Sequence, residues 1–587
     1  MMEKWIVYNK KADFKGIGQR YQIDPVTARV IRNRGLTEDE DIRLFLRGTM
    51  ADTYDPHLLK DADRLVDILI DKIEQGRPIR ILGDYDIDGV MASYILLTAL
   101  KRCGADVSVQ IPHRILDGYG INEHLVRLAE KEQVDTILTC DNGIAAIEEI
   151  ALAKELGMTV LVTDHHEIPF EETKEGRREL QSRADAIVNP HQSACAYPNK
   201  NLCGAAVAWK IVCILYERMK LEKGEAEQFL ENVAFATVGD VMSLTGENRI
   251  LVREGLKRIH HTENTGMRAL IAQCGLRPAE IKAYHFGYVL GPCINASGRL
   301  DTAKRSLELL VEEDESRALV CANELVQLNE ERKLLTNEGV EEAKRIYESG
   351  EYEKDRVIVI FLANVHESVA GIIAGRIREY YHKPTFILTE SPEGIKGSGR
   401  STENYSMYEE LCRCQELLTK FGGHPMAAGL SLSRENVEPL RRRLNENCSL
   451  SREDMIPRIY IDVPMPVDYV TPELVCELSV LEPFGKDNEQ PVFADRDIRI
   501  LHMWVCGKNR NVLSLTLQSA QGTRISGVLF GNLDAFFTFI REKFGESSLQ
   551  AALSGQENGI RISMIYRPKI HCYRGEEQLQ FEIRNYC

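Results

Sequence analysis

Residues 81–89 read ILGDYDIDG, and the alternation of Asp84, Asp86 and Asp88 directly after an apolar run decides how the chain is built. Three carboxylates on one turn raise one another's pKa. They stay ionised together only beside a strong positive charge, which a divalent cation supplies. Residues 78–82 have the composition of a buried strand, Gly83 and Gly89 punctuate the turn, and residues 90–100 are apolar and free of Pro, as a helix requires. Acids at the carboxyl end of a parallel strand stand where open α/β sheets hold their ligands. A calcium EF-hand loop also spaces acids this way around a Gly at its sixth position, but it needs helical flanks and Glu at its twelfth, which here is Ile95.

From residue 59 onward, helix-period segments alternate with short apolar runs at 79–82, 107–111, 136–140, 159–162 and 186–188, the pattern of a parallel, doubly wound sheet. The second run leads into Pro112-His113-Arg114 and the Gly-rich turn Asp117-Gly118-Tyr119-Gly120, the third into Asp141-Asn142-Gly143, and the fourth into Asp164-His165-His166. Successive strands thus bring groups suited to a metal or a phosphate to one edge. Asp240 interrupts the small, apolar stretch 235–241. An acid there is either salt-bridged in the core or a further metal ligand, and beside the other motifs the ligand reading is preferred. Residues 201–205, NLCGA, carry no assignable chemistry.

At 587 residues the chain is too long for one core, and roughly three or four units are expected. The net charge of −16 argues at first against a nucleic-acid partner. It does not decide the matter, because an acidic metal site and solvated helices supply much of the negative count while a local Arg-lined groove still binds phosphate. The fifteen Cys are scattered without a CxxC pair, which excludes a zinc ribbon and a disulfide framework. No stretch approaches the ~20 apolar residues of a membrane span, and the opening MMEKWIVYNKK lacks a secretory signal, so a cytoplasmic location is expected.

Residues 315–349 contain no Pro and one Gly, Gly339, and their apolar positions recur at helical steps; a continuous helix there spans about 50 Å, enough to bridge two domains. The following lobe carries Lys396-Gly397-Ser398-Gly399-Arg400-Ser401 and Phe421-Gly422-Gly423-His424, where Gly lets backbone amides approach an anion and Arg and Ser supply donors. From residue 457 short strand-like runs at 459–463, 492–493, 498–502, 512–517, 524–529 and 560–565 suit a small closed barrel. Phe484, Trp504, Lys508, Arg510 and Phe530 are its candidate contacts for a single strand.

In their order, DYDIDG, TCDNGI, TDHHE and the later GDV resemble the DHH phosphoesterase superfamily. IPHRILDGYGIN, GPCINASGRLDTA, IKGSGRS, FGGHPMAAGL and LEPFGKDNEQPVF narrow the resemblance to its RecJ-type single-stranded-DNA exonucleases, over nearly the whole chain from residue 59. Ser368 and Ala370 depart from the family pattern, which favours Gly and a larger aliphatic residue there. The resemblance implies an α/β protein: an N-terminal extension (1–58), a parallel-sheet DHH catalytic domain (59–302), a helical connector (303–350), a smaller α/β DHH-associated domain (351–450) and an OB-like nucleic-acid-binding barrel (451–587).

The resemblance further implies two Mn²⁺ or Mg²⁺ ions, one held by Asp84, Asp86 and Asp141 and the other by Asp88, Asp141, His165 and Asp240, with Asp141 shared. Asp141, Asp164, His165 and His166 form the implied catalytic group, with His166 as phosphate contact or proton donor. Implied substrate contacts are Arg114, Tyr119, Asn295 and Arg299 on the catalytic side, and Ser398, Arg400, Ser401, Gly422, Gly423 and His424 on the associated lobe. The expected activity is 5′-to-3′ removal of 5′-mononucleotides from single-stranded DNA, in repair and recombination, with a single-strand-binding protein and a helicase as partners and no need for more than a monomer. One alternative is a DHH phosphodiesterase for short oligonucleotides or cyclic dinucleotides, which the extra barrel disfavours. Another is an inactive binding scaffold, which the full set of acids and histidines disfavours.

Overall fold

The apolar residues ahead of the acid loop form strand β1 (Ile79–Leu82), buried along its whole length. A computed structural model describes residues 3–114, 117–118, 120–173, 176–350, 352, 354–392, 394–507, 510–573 and 576–587; Tyr119 and Lys508 lie outside the described residues. Parallel to β1 run β2 (Val107–Gln110), β3 (Thr136–Cys140), β4 (Thr159–Thr163) and β5 (Ala186–Val188), in the sheet order β2-β1-β3-β4-β5. The order reverses between β1 and β3, so the loops leaving them part and open a crevice at their carboxyl ends. Side chains alternate between faces: Ile81, Leu138 and Leu161 join one apolar cluster, and Leu82, Ile137 and Val160 the other.

Helix α1 (Ile87–Arg102) starts at the acid loop because Asp86 caps it, accepting from the amides of Asp88 at 2.9 Å and Gly89 at 3.1 Å. Gly89 is required by close approach, since a Cβ there would stand 2.5 Å from the Asp84 carbonyl oxygen. Helices α2 (Gly204–Arg218) and α3 (Leu230–Gly239) pack on α1 through the larger apolar cluster. One acid is trapped in that layer: Glu231 is buried, accepts from Thr262 Oγ1 at 2.7 Å, and is pushed up to about 7 by burial. Its folded pKa lies above the unfolded value, so its contribution is intact in acid and lost as pH rises through 7. Glu231→Gln is therefore expected to raise unfolding stability at pH 8 by about 1–3 kcal/mol and to change little at pH 4, as thermal melts at the two pH values will read.

The catalytic layer continues through α4 (Gly291–Leu300) into the connector α5 (Glu315–Tyr347), 33 residues without interruption. Gly339 does not break it; a Cβ there would come 2.4 Å from Ile373 Cδ1, so the glycine lets α5 approach α6 (Glu367–Tyr381) closely. The second lobe is a mixed sheet of β6 (Ile358–Phe361), β7 (Thr385–Ser391), β8 (Gly394–Arg400), β9 (Lys420–His424) and β10 (Ala427–Leu432), ordered β9-β10-β8-β7-β6 with only β6 and β7 parallel. Both lobes belong to one unit, Thr49–Pro457; Met1–Gly48 and Arg458–Cys587 form a second.

In the second unit five strands close a barrel. Phe493–Cys506, Val512–Gln518 and Arg524–Phe530 pair in series, Glu576–Tyr586 joins in parallel, and Arg561–Tyr573 pairs back to the first. The runs expected at 492–493 and 498–502 are one strand, which stays continuous across irregularities at Asp495/Ile498 and Ile500/His502. Helices Pro25–Asn33 and Asp39–Arg47 contribute Val30, Ile31, Ile42 and Phe45 to the barrel's own apolar cluster, and Lys4–Val7 pairs with Arg458–Ile461. Among the described residues no helix is long and apolar enough to cross a membrane.

Candidate metal centre

The loops leaving β1, β3 and β4 and the end of α3 bring their acids and imidazoles together. His165 Nε2 lies 3.0 Å from Asp141 Oδ1, 3.4 Å from Asp88 Oδ2 and 3.8 Å from Asp240 Oδ2. Three donor groups, each with its atoms within 4.8 Å of one another, can hold a cation: Asp84, Asp86 and Asp141; Asp88, His165 and Asp240; Asp141, His165 and His166. Asp141 sits at φ 62°, a left-handed backbone that turns the chain sharply at the end of β3.

The electrostatics fit divalent cations. Burial and then repulsion from Asp86 push Asp84 up to about 8, burial and then Asp88 raise Asp86, and burial and then Asp88 raise Asp141 well above the usual carboxylate range. Asp84 Oδ1 is buried with no hydrogen-bond partner among the described residues. Bound divalent charge reverses each of these costs, and carboxylate oxygens in the majority suit Mn²⁺ or Mg²⁺. Burial also lowers the His165 pKa, which favours the neutral, ligating imidazole.

Asp164 plays a different part. Its Oδ1 accepts from the amides of His165 at 2.7 Å and His166 at 3.1 Å and from His166 Nδ1 at 2.8 Å, while Oδ2 accepts from the Ile144 amide at 2.9 Å. Burial opposes its charge, yet the hydrogen bond and charge of His166, the Ile144 amide and the charge of His165 together outweigh it and hold the carboxyl below its ordinary value. Burial would lower His166, but the hydrogen bond and charge of Asp164, with the charges of Asp240 and Asp88, lift it to about 9. Asp164 thus orients both histidines from behind.

One support comes from residues whose sequence carries no assignable chemistry. The amides of Gly204 and Ala205, at the start of α2, donate to Asp88 at 2.5 and 2.7 Å, so a helix N-terminus steadies that carboxylate. A Cβ on Gly204 would stand 2.6 Å from Asp141 Cβ; a small residue opening an apolar helix was the available signal. Asn142 Nδ2 donates to the carbonyls of Leu82 at 3.0 Å and Cys140 at 2.9 Å, stitching β1 to β3 below the acids.

The expected substrate contacts fall into distinct places. Arg114 lies over the Tyr85 ring at 4.8 Å and, with Ser368, Lys396 and Ser398, lines a cavity of about 270 Å³. Arg299 is largely enclosed; its Nη1 donates to the Ser368 carbonyl at 2.9 Å, and burial and then Arg114 push its pKa down to about 9. Arg400 is lowered by burial and then by Arg378 and Arg114. Asn295 Oδ1 accepts from the Ile87 amide at 2.8 Å, fixing the acid loop. Ser401 is buried, with its hydroxyl donating to the Tyr405 carbonyl at 2.5 Å. Gly422, Gly423 and His424 are exposed on the edge strand β9, where His424 pairs with Ala427, which in turn pairs with Arg400.

On the barrel, Trp504 and Phe530 are 42% and 48% exposed, with His502 stacked on Trp504 at 5.1 Å and Lys569 Nζ over Phe530 at 5.1 Å. Trp504 faces Ser514, and Phe530 faces Val512 on the same strand, so period-2 alternation puts both rings on one side of the sheet. Phe484 is instead packed against the barrel core.

A parallel sheet that gathers aspartates and an Asp-His-His turn at one edge, beside an arginine-lined cavity, defines a DHH phosphoesterase. The family models agree: residues 78–237 match the DHH family N-terminal domain, 354–450 the DHHA1 domain and 461–585 the RecJ OB domain. The chain is 30% identical over 584 residues to the single-stranded-DNA-specific exonuclease RecJ of Haemophilus influenzae, covering 96% of each. It is 34% identical over 521 residues to the RecJ of Bacillus subtilis, spanning 88% of this chain and 64% of that relative. The crystal structure of RecJ in complex with Mn²⁺ from Thermus thermophilus superposes with a TM-score of 0.80 at 26% identity, over all of this chain and 79% of that one. The chain belongs to the RecJ family of single-stranded-DNA-specific exonucleases.

Proposed function

We propose that the chain removes 5′-mononucleotides one at a time from the 5′ end of single-stranded DNA with two divalent cations, Mn²⁺ or Mg²⁺. The observation that carries this reading is the convergence of Asp84, Asp86, Asp88, Asp141, His165 and Asp240 into overlapping donor groups, in a unit whose cavity is lined by Arg114 and Ser398. Asp84, Asp86 and Asp141 would hold one cation, and Asp88, Asp141, His165 and Asp240 the other. Bound there, the cations would supply Lewis-acid charge for the phosphoryl oxygens and lower the pKa of a water.

The protein's own groups do the rest. Arg114 and Arg400 pair with the terminal phosphate, where a dianion relieves the mutual repulsion of neighbouring guanidinium groups. Arg299, through the Ser368 carbonyl, ties the acid-bearing layer to the lobe that carries Arg400. His166, oriented by Asp164, gives a proton to the leaving 3′ oxygen. Because the phosphate stays on the next nucleotide, each cut regenerates the end the arginines hold. On the barrel, Trp504 and Phe530 offer ring faces on which single-strand bases can stack.

A single-strand substrate must be supplied by an enzyme class that separates duplexes, so a helicase and a single-strand-binding protein are the fitting partners. Repair and recombination in the cytoplasm is the fitting setting, with the protein acting as a monomer. The test is product analysis on a 5′-phosphorylated strand labelled separately at each end, with Mn²⁺, with EDTA and beside its blunt duplex. Mononucleotides released from the 5′ end of the single strand only, and only with metal, are expected. Cleavage of a dinucleotide without any release from the polymer would move the chain to the small-substrate phosphodiesterases.

A further inference from the structure

We propose that Tyr284 and Tyr288 form a base-stacking step for the substrate strand next to the metal centre, a deepening of the exonuclease reading that rests on it. The two rings lie 5.0 Å apart with 20° between their planes, yet they are 62% and 72% exposed. Single exposed aromatics are ordinary on protein surfaces. A stacked, outward-facing pair is different: it leaves ring faces uncovered and already holds the parallel geometry that a nucleobase adopts on an aromatic ring.

The pair is fastened to the catalytic helix. Tyr288 lies in a π-helical turn, Phe286–Leu290, a local distortion frequent at functional sites. Phe286, fully buried in that turn, stacks on Phe235 of α3 at 4.7 Å and 30°. A Cβ on Gly287 would stand 3.6 Å from Val238 Cγ1, so the turn rests on the last residues of α3. That helix ends at Asp240, whose carboxylate lies 3.8 Å from His165 Nε2. Val241 follows, 61% exposed. On its other side the turn runs directly into α4, which carries Asn295 and Arg299. The tyrosines are therefore on a rigid mount joined at both ends to groups of the centre.

The occupant follows from that continuity. A polymer held by its 5′ phosphate at the centre has to run on across the protein surface, and each of its bases presents a flat π face. Lys282 and His285 flank the pair in sequence, and the preceding acid, Glu280, is engaged by Arg277, so the local sequence favours a phosphate backbone. A protein partner would need a larger apolar patch than two rings provide.

The experiment compares wild type with the Tyr284→Ala/Tyr288→Ala double variant and with Tyr284→Phe/Tyr288→Phe, on 5′-phosphorylated oligothymidylates of increasing length from the dinucleotide upward. Base–aromatic stacking of about 1–3 kcal/mol per base predicts a KM raised roughly 10-fold or more on long strands, a penalty that shrinks toward the dinucleotide, and a kcat nearly unchanged. The Phe variant should behave as wild type. Quenching of 2-aminopurine placed at successive positions of a strand bound in EDTA should weaken in the Ala variant at a defined set of positions. Equal KM at every length together with unchanged quenching would overturn the stacking step while leaving the exonuclease reading intact. A wild-type protein that releases no mononucleotide from single strands would remove the exonuclease reading, and this inference with it. Both side chains are exposed, so an unaltered melting temperature confirms that the variants fold.

Discussion

Asp141→Asn is expected to lower mononucleotide release by on the order of 10³-fold or more while leaving the fold intact. Asp141 belongs to two of the three donor groups, and in the assignment proposed above it is the ligand shared by the two cations. Asn is the discriminating replacement because the position lies at φ 62°, which Asn tolerates and Ala does not without strain. The physical argument extends to stability and gives a second readout. In the metal-stripped protein Asp141 is a buried carboxylate repelled by Asp88, Asp86 and Asp84. Its neutral isostere should raise the melting temperature in EDTA by ~1 °C for each kcal/mol of repulsion relieved. Added Mn²⁺ should then stabilise the variant much less than it stabilises wild type. Near-wild-type turnover, or an undiminished Mn²⁺-induced shift, would remove Asp141 from the ligand set.

The parts of this architecture that could be read from the sequence are those in which local chemistry and local geometry coincide. The acid loop is legible because the apolar strand, the capping Asp86 and the helix lie within one short stretch. The Asp-His-His turn and Asp141 are legible because each terminates an apolar run. The connector helix is legible from its period, with a break at Gly339 as the lesser reading until Ile373 is seen against it. What escapes is set by contacts distant in the chain. Gly204 and Ala205 look inert until their amides meet Asp88, 116 and 117 residues away. Ser401 sits in a run that reads as an anion loop, but its hydroxyl is turned to Tyr405. The final barrel strand, Glu576–Tyr586, begins with exposed polar residues and has its buried positions, Phe581 and Ile583, only in its second half, so its pattern is weak. Residues 1–48 carry no motif because their role is packing against a barrel more than 400 positions downstream.

One enclosed ion pair lies within that packing, and Arg34→Ala is expected to destabilise the barrel unit by about 3–5 kcal/mol at pH 8. Arg34 Nη1 lies 3.0 Å from Asp462 Oδ1 with both side chains almost fully enclosed, 5% and 4% exposed. Its Nη2 donates to the Glu489 carbonyl at 2.6 Å, and Asp462 also receives the Val492 amide at 3.1 Å. Burial already raises the Asp462 pKa despite Arg34 beside it. Removing the guanidinium leaves that carboxylate with its desolvation cost and without its main compensation. The sign of the pH dependence follows. A carboxyl whose folded pKa is raised contributes fully in acid and loses stability as pH rises through the folded value, and deleting Arg34 raises that value further. The loss should therefore be largest at pH 8 and smaller at pH 5, because a raised carboxyl takes up a proton more readily as pH falls. Thermal or urea melts of the variant at the two pH values will show this. The double variant Arg34→Met/Asp462→Leu, which removes both charges, should recover most of the stability at pH 8. If Arg34→Ala alone melts as wild type does, the N-terminal helices are not held to the barrel by this pair. In that event the apolar contacts of Val30, Ile31, Ile42 and Phe45 and the pairing of Lys4–Val7 with Arg458–Ile461 carry the attachment.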